Sequence, residues 1–271
     1  MNDSLDSFFK KSKNLSSKWR KYFDVYEENF LKFKGKDITF VEIGVFNGGS
    51  LEIWKNYFGP NSQIIGIDIN PECKKFEKDN IKIFIGNQSS PKFWQNFFHQ
   101  VGSVDVVLDD GGHTNLDQII STIECVKNIK DGGMLVVEDT HTSYINRYNS
   151  SEKFSFLNFS KKLVDDVNLN IKKDNLDENF NKNYRFSLNK YIDSTHFYEG
   201  IVVFNINRNK SYPNERYEND GIEHEIKDLT WDGNNEILGK YKDLSNIKLI
   251  KKLLRIIKKK IINNKIKKFF S

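Results

Sequence analysis

Two short segments concentrate the groups able to do chemistry. Val107-Leu108-Asp109-Asp110-Gly111-Gly112-His113 and Val136-Val137-Glu138-Asp139-Thr140-His141 each end an apolar, β-branched run in two acids, with a histidine close behind. Neighbouring parallel strands would set both ends side by side, at the carboxyl edge where open α/β sheets bind ligands. Four carboxylates and two imidazoles then share one crevice. Like charges so close repel unless a cation or proton intervenes, so a bound metal ion is the economical expectation. Oxygen donors without a usable cysteine favour Mg²⁺ or a similar hard ion over zinc. The competing reading, separate strand-end caps, is weakened by two such clusters falling on adjacent strands. His99, His196 and His224 are given structural readings.

A second constellation lies upstream. Val41-Glu42-Ile43-Gly44-Val45-Phe46-Asn47-Gly48-Gly49-Ser50 joins a strand to a helix, and its glycines remove side chains where a ligand approaches backbone. The spacing is not the GxGxxG of dinucleotide-binding turns, which disfavours an NAD-dependent oxidoreductase. The next strand, Ile64-Ile65-Gly66-Ile67-Asp68, ends in an acid that can accept ribose hydroxyls, and Gly86-Asn87-Gln88-Ser89 follows the third with polar groups able to meet an adenine edge. Glu42, Gly44, Asp68, Asn87, Gln88 and Asp109 are the expected contacts to an adenosine-bearing cofactor, Asp109 touching it or orienting the loop.

The elements that must position these groups follow a strand–helix alternation. Apolar runs at 38–45, 64–69, 81–85, 104–108 and 134–137 alternate with helix-length segments at 50–58, 91–100 and 116–129, with Asp131-Gly132-Gly133 a turn before the fifth strand. That pattern predicts a parallel sheet covered on both faces. Residues 191–207 read as two strands around Glu199-Gly200. Residues 1–36 form an aromatic-rich helical segment packing on or over the pocket, 37–208 the α/β domain, 209–245 an irregular extension anchored by Trp231, and 246–271 a basic amphipathic tail.

Together, EIGVFNGGSLEIW, DDGGH and EDTHTSY resemble the metal-dependent sugar O-methyltransferases of macrolide biosynthesis, the mycinamicin and tylosin type, and relatives in bacterial polysaccharide pathways. These are class I S-adenosylmethionine-dependent enzymes. The resemblance covers about residues 37–145, with HFYEGIVVF also similar. It implies a Rossmann-like, doubly wound, mostly parallel seven-stranded sheet with an antiparallel edge strand. It also implies S-adenosylmethionine as donor, Mg²⁺ held by Asp110, Glu138 and Asp139, His113 as general base, and a sugar or nucleotide-sugar acceptor. His141 is left between substrate contact, support of a neighbour and packing. Gly112 departs from the family, where a Ser is expected.

Composition bounds the alternatives. The chain has 271 residues, 38% hydrophobic and 29% charged, with two cysteines, too few for a disulfide framework. Neither a membrane-spanning run nor an N-terminal secretory segment is evident, so the expected setting is cytoplasmic. Ten of the 42 Lys/Arg and none of the 37 acids lie in 246–271, leaving the remainder with 32 basic against 37 acidic residues. The net charge of +5 therefore gives no support to a nucleic-acid groove on the folded domain. In the tail, Ile250, Leu253, Leu254, Ile257 and Ile261 recur at helical spacing between lysines, which fits packing on the body, contact with a second copy of the chain, or a peripheral position on anionic lipid at the inner face of the membrane. Two rival functions remain at this level. A metal-dependent hydroxylase would favour two histidines and one carboxylate on iron. A non-catalytic nucleotide-binding module would not need the acid–histidine set.

Overall fold

The computed structural model describes residues 4–148 apart from 79, then 152–168, 188–222, and seven scattered positions between 256 and 267. The chain divides into two compact units, 1–216 and 217–271, and the sheet with its helices belongs to the first. Trp231 and the apolar stripe of the tail, Ile257 apart, lie outside the described residues.

Seven strands form one sheet: β1 (Thr39–Ile43), β2 (Gln63–Asp68), β3 (Ile81–Ile85), β4 (Val104–Asp109), β5 (Ile129–Val137), β6 (Ile192–Tyr198) and β7 (Ile201–Ile206). Their order is β3-β2-β1-β4-β5-β7-β6, with the first five parallel and β7 antiparallel to both neighbours. The sheet is thus the expected mostly parallel one with an antiparallel hairpin at its edge. The strand order reverses between β1 and β4, so the crevice at their carboxyl ends is the topological switch point.

Period-two alternation divides the strand residues between two cores. Phe40, Ile64, Val106, Leu108, Met134 and Val136 face α2 (Tyr22–Phe30) and α3 (Gly49–Phe58). Val41, Ile43, Val107, Leu135 and Val137 face α4 (Pro91–Val101), α5 (Asn115–Val126) and α6 (Phe156–Asn168). The same alternation decides where each acid at a strand end points. Asp131-Gly132-Gly133 differs from its reading as a turn ahead of the fifth strand. It falls inside β5, where pairing with β4 jumps from Ile129 to Met134 and the intervening residues bulge outward.

The N-terminal segment belongs to this unit. α1 (Leu5–Lys11) is capped by Ser4, whose side chain accepts from the Ser7 amide, and a connection runs from it across the sheet's carboxyl edge into α2. Gly49 lets that connection pass: a Cβ there would lie 2.5 Å from the Asn14 carbonyl oxygen and 2.7 Å from that of Leu15. Tyr26 and Phe30 then anchor α2 in an aromatic cluster with Phe40, Trp54 and Phe58. No helix among the described residues is long and apolar enough to cross a membrane.

Candidate active site

A cavity of about 650 Å³ opens at the switch point. Gly44, Phe46, Asp68, Asn87, Asp110 and His113 line it, and Leu15 to Ser17 of the N-terminal connection form part of its wall. Gly44 has φ +95°, and a Cβ on it would sit 2.1 Å from the Asp110 carbonyl oxygen, so the turns after β1 and β4 meet backbone to backbone. Asp68 lies at the far end. Its Oδ2 accepts from the Val45 and Phe46 amides at 2.9 and 3.1 Å, and Oδ1 from the Asn70 amide at 2.8 Å. Partial burial opposes ionisation, yet the amides of Asn70, Phe46 and Val45 outweigh it and hold this carboxyl below its usual range. The Cys73 thiol adds a further hydrogen bond to the same carboxyl, which still faces the cavity.

At the near end, Asp110, His113 and Asp139 bring one ligand atom each within 4.8 Å of the others. His113 Nε2 lies 3.8 Å from Asp110 Oδ1 and 3.6 Å from Asp139 Oδ2, while its buried Nδ1 finds no partner among the described residues. Both His113 and Asp139 adopt left-handed backbone, φ 57° and 52°. For residues with a Cβ this costs on the order of 1–3 kcal/mol each, a strain typical of functional positions. The two carboxylates at this separation offer oxygen donors to a single hard cation, with the imidazole beside them.

Four expected contacts are placed otherwise. Glu42 follows Phe40 on the α2/α3 face and is fully buried, accepting from Ser50 Oγ at 2.6 Å and Trp54 Nε1 at 3.1 Å. It is absent from the cavity wall. Asp109 points to the opposite face, where Gln88 Nε2 donates to it at 3.0 Å and the Ser121 hydroxyl also donates. It therefore braces the loop beneath the cavity. Gln88 lines the cavity, but its Nε2 is spent on Asp109 and its Oε1 on the Gly112 amide at 2.7 Å. Of the expected adenine-edge pair, Asn87 is the one left exposed. Glu138, expected as a metal ligand, is not one of the group of three but shares the Lys18 ammonium with Asp110, which is. The Tyr26 hydroxyl donates to its Oε1.

What meets Glu138 is a residue that sequence reasoning missed. The Lys18 ammonium lies 3.0 and 3.1 Å from the two Glu138 oxygens, 2.6 Å from Asp110 Oδ2 and 3.5 Å from Glu42 Oε1. Its side chain is only 5% exposed. Burial alone would discharge it, but the carboxylates of Asp110, Glu138 and Glu42 push its pKa well above the ordinary lysine range, so it carries charge. Burial pushes Glu138 and Glu42 upward as well, with Asp110 adding to the rise at Glu138 and Lys18 opposing both. Part of the repulsion expected to require a metal is thus met by the protein's own cation.

The same connection clothes Asp139. Trp19 Nε1 and the Tyr22 hydroxyl donate to its Oδ1 at 3.0 and 2.8 Å. His141 stands beside them, Nδ1 3.9 Å from Asp139 Oδ1 and its ring edge-on to Trp19 at 5.6 Å. Gly112, the position expected to carry Ser, faces Asp117: a Cβ would fall 2.5 Å from Asp117 Oδ2, which the Thr114 hydroxyl engages.

No family model matches the chain. Over 162 residues it is 31% identical to 8-demethyl-8-alpha-L-rhamnosyl tetracenomycin-C 2'-O-methyltransferase of Streptomyces olivaceus, a match covering 55% of this chain and 42% of that protein. Over 126 residues it is 32% identical to mycinamicin VI 2''-O-methyltransferase of Micromonospora griseorubida, covering 44% and 31%. The chain thus spans less than half the length of the curated relatives it matches. Among solved structures, the MycE methyltransferase of the mycinamycin pathway, in complex with Mg, SAH and mycinamycin VI, superposes with a TM-score of 0.66 at 23% identity, over 80% of this chain and 56% of that one. The chain therefore has the Rossmann-like fold of class I methyltransferases, and in sequence it resembles the sugar O-methyltransferases of antibiotic pathways.

Proposed function

We propose that the chain is a Mg²⁺-dependent O-methyltransferase that moves the methyl group of S-adenosylmethionine onto a sugar hydroxyl, with His113 as general base. The observation that carries this reading is that Asp110 and His113, which line the cavity that also holds Asp68, converge with Asp139 behind them. The relatives named as sugar O-methyltransferases, and the Mg and SAH bound in the similar solved structure, support it.

In this reading Asp68 takes a ribose hydroxyl, Asn87 meets the adenine edge, and Gly44 leaves room for the methionine part. Asp110, Glu138 and Asp139 would hold the ion, Lys18 lying against the first two of these carboxylates. Bound there, Mg²⁺ would lower the pKa of a sugar hydroxyl, a poor nucleophile when protonated. His113 stands within reach of both carboxylates, and with Nδ1 buried, Nε2 is the nitrogen able to accept the proton. The acceptor is proposed to be a nucleotide-linked sugar or a sugar of a polysaccharide pathway.

The test is metal dependence of turnover. EDTA should abolish methyl transfer and Mg²⁺ restore it, and Asp110→Ala and Asp139→Ala should each remove most activity. Undiminished activity in EDTA, with no metal found by elemental analysis, would sink the metal-dependent reading.

A further inference from the structure

A second cavity, of about 370 Å³, opens between the N-terminal connection and the turn joining β6 to β7. Trp19, Arg20, Tyr22, His141 and Gly200 line it, with the Lys21–Glu199 ion pair at its rim. It shares no lining residue with the larger cavity. Asp139 stands between the two. Its Oδ1 accepts from Trp19 and Tyr22 on the side of the second cavity, and its Oδ2 faces His113, which lines the first.

We infer that this second cavity is the acceptor subsite and takes a pyranose ring stacked on the Trp19 indole; the inference rests on the methyl-transfer reading above. The volumes fit the division of labour. A nucleoside-sized donor needs the larger space, and 370 Å³ lies within the range of small-ligand pockets while sufficing for one sugar ring. The chemistry fits as well. Trp19 is 60% exposed, yet its N–H is tied to Asp139 and its edge packs against His141, so an open aromatic surface is held in a fixed orientation. A pyranose offers an apolar C–H face to such a surface and a belt of hydroxyls around it. Arg20 supplies guanidinium donors at the rim for those hydroxyls. A ring seated there would present a hydroxyl over the partly exposed Asp139 and His113 side chains, toward the donor in the larger cavity. The methyl group would then pass directly from the donor sulfur to that hydroxyl oxygen with no protein group between them, as in-line transfer requires.

The test uses the full-length chain saturated with S-adenosylhomocysteine and Mg²⁺, with methyl α-L-rhamnopyranoside and methyl α-D-glucopyranoside as probes. Saturation-transfer NMR reads sugar binding directly. Trp19→Phe keeps the aromatic face and loses the N–H; Trp19→Ala loses both. The inference expects Trp19→Phe to bind within about threefold of wild type and Trp19→Ala at least about tenfold more weakly, while both retain S-adenosylhomocysteine affinity by calorimetry. Three results would overturn it: unchanged probe binding in Trp19→Ala, equal loss in both variants (which would make Trp19 only an anchor for Asp139), or no binding of either probe to the wild type. Failure of the methyl-transfer reading looks different, because the chain would then take up no S-adenosylhomocysteine at all.

Discussion

Replacing Lys18 with Met removes the ammonium that reaches Asp110, Glu138 and Glu42 together and leaves a side chain of similar length. In the wild type this group lies 2.6 to 3.5 Å from the three carboxylates. Glu42 and Glu138 are buried at 0% and 1% exposure, so water cannot replace it. Breaking a buried ion pair from one side costs about 3–5 kcal/mol, because the partner is left charged and desolvated. At roughly 2–4 °C per kcal/mol for a domain of this size, the thermal midpoint should fall by roughly 6–20 °C at neutral pH. The loss should depend on pH with a defined sign. Glu42 and Glu138 already have folded pKa values raised by burial, and without Lys18 they rise further. An acid whose folded pKa is raised costs stability above that pKa, and the cost disappears as the pH falls toward its unfolded value. The gap between variant and wild type should therefore narrow on acidification toward pH 5. Differential scanning fluorimetry in EDTA across this range reads it, with Lys18→Arg as the charge-conserving control. A Lys18→Met midpoint equal to wild type, or a gap that widens on acidification, would refute the assignment of Lys18 as the buried counter-cation.

Other outcomes follow from the same geometry. Asp68→Asn should weaken S-adenosylmethionine binding by about 1.5–3 kcal/mol through loss of a charged acceptor, measured by calorimetry; unchanged affinity would remove Asp68 from the site. His113→Asn, chosen because Asn tolerates the left-handed backbone at this position, should retain donor and metal affinity while the single-turnover rate falls roughly 10²–10⁴-fold. A near-normal rate with a lowered melting temperature would make His113 structural. Asp166 on α6 is 6% exposed, its Oδ1 has no partner among the described residues, and burial, with Asp165 adding to it, pushes its pKa up to about 6. Asp166→Asn should therefore stabilise the protein at pH 7 by about 1–3 kcal/mol, with the benefit fading as the pH falls below about 6; chemical denaturation at pH 7 and 5 measures both.

The sheet was legible because each strand is a compact β-branched run, and the acids closing β4 and β5 mark its carboxyl edge without ambiguity. Side-chain direction at those ends was harder to read. The glycines and acids around Glu42, Asp109 and Glu138 make all three look like ligand contacts. Yet period two puts Glu42 with Phe40, and Glu138 with Val136, on the face covered by α2. Counting alternation from the hydrophobic residues inward sets Asp110 on that face as well, through Val106 and Leu108, and Asp109 on the opposite one with Val107, so that Glu42, Asp110 and Glu138 meet the same ammonium. Lys18 left a fainter trace. Nothing in its spacing ties it to residues 42, 110 and 138, and only the docking of α2 through Tyr26 and Phe30 brings it there. The available signal was its place just ahead of Tyr22, Tyr26 and Phe30, a helix face aromatic enough to be buried against the strand bearing Glu42. The bulge at Asp131-Gly132-Gly133 read as a turn because its composition is that of one; the pairing of β5 with β4 on both sides of it is a long-range fact.

Methyl transfer itself is read by incubating the chain with trideuteromethyl S-adenosylmethionine, Mg²⁺ and a panel of nucleotide sugars and methyl glycosides, and following the products by mass spectrometry. An acceptor should gain one trideuteromethyl group on a sugar oxygen, with stoichiometric S-adenosylhomocysteine, in a reaction that stops in EDTA and in His113→Asn. Transfer that proceeds equally well in EDTA and in that variant would contradict the proposed reaction, as would a product oxygenated rather than methylated.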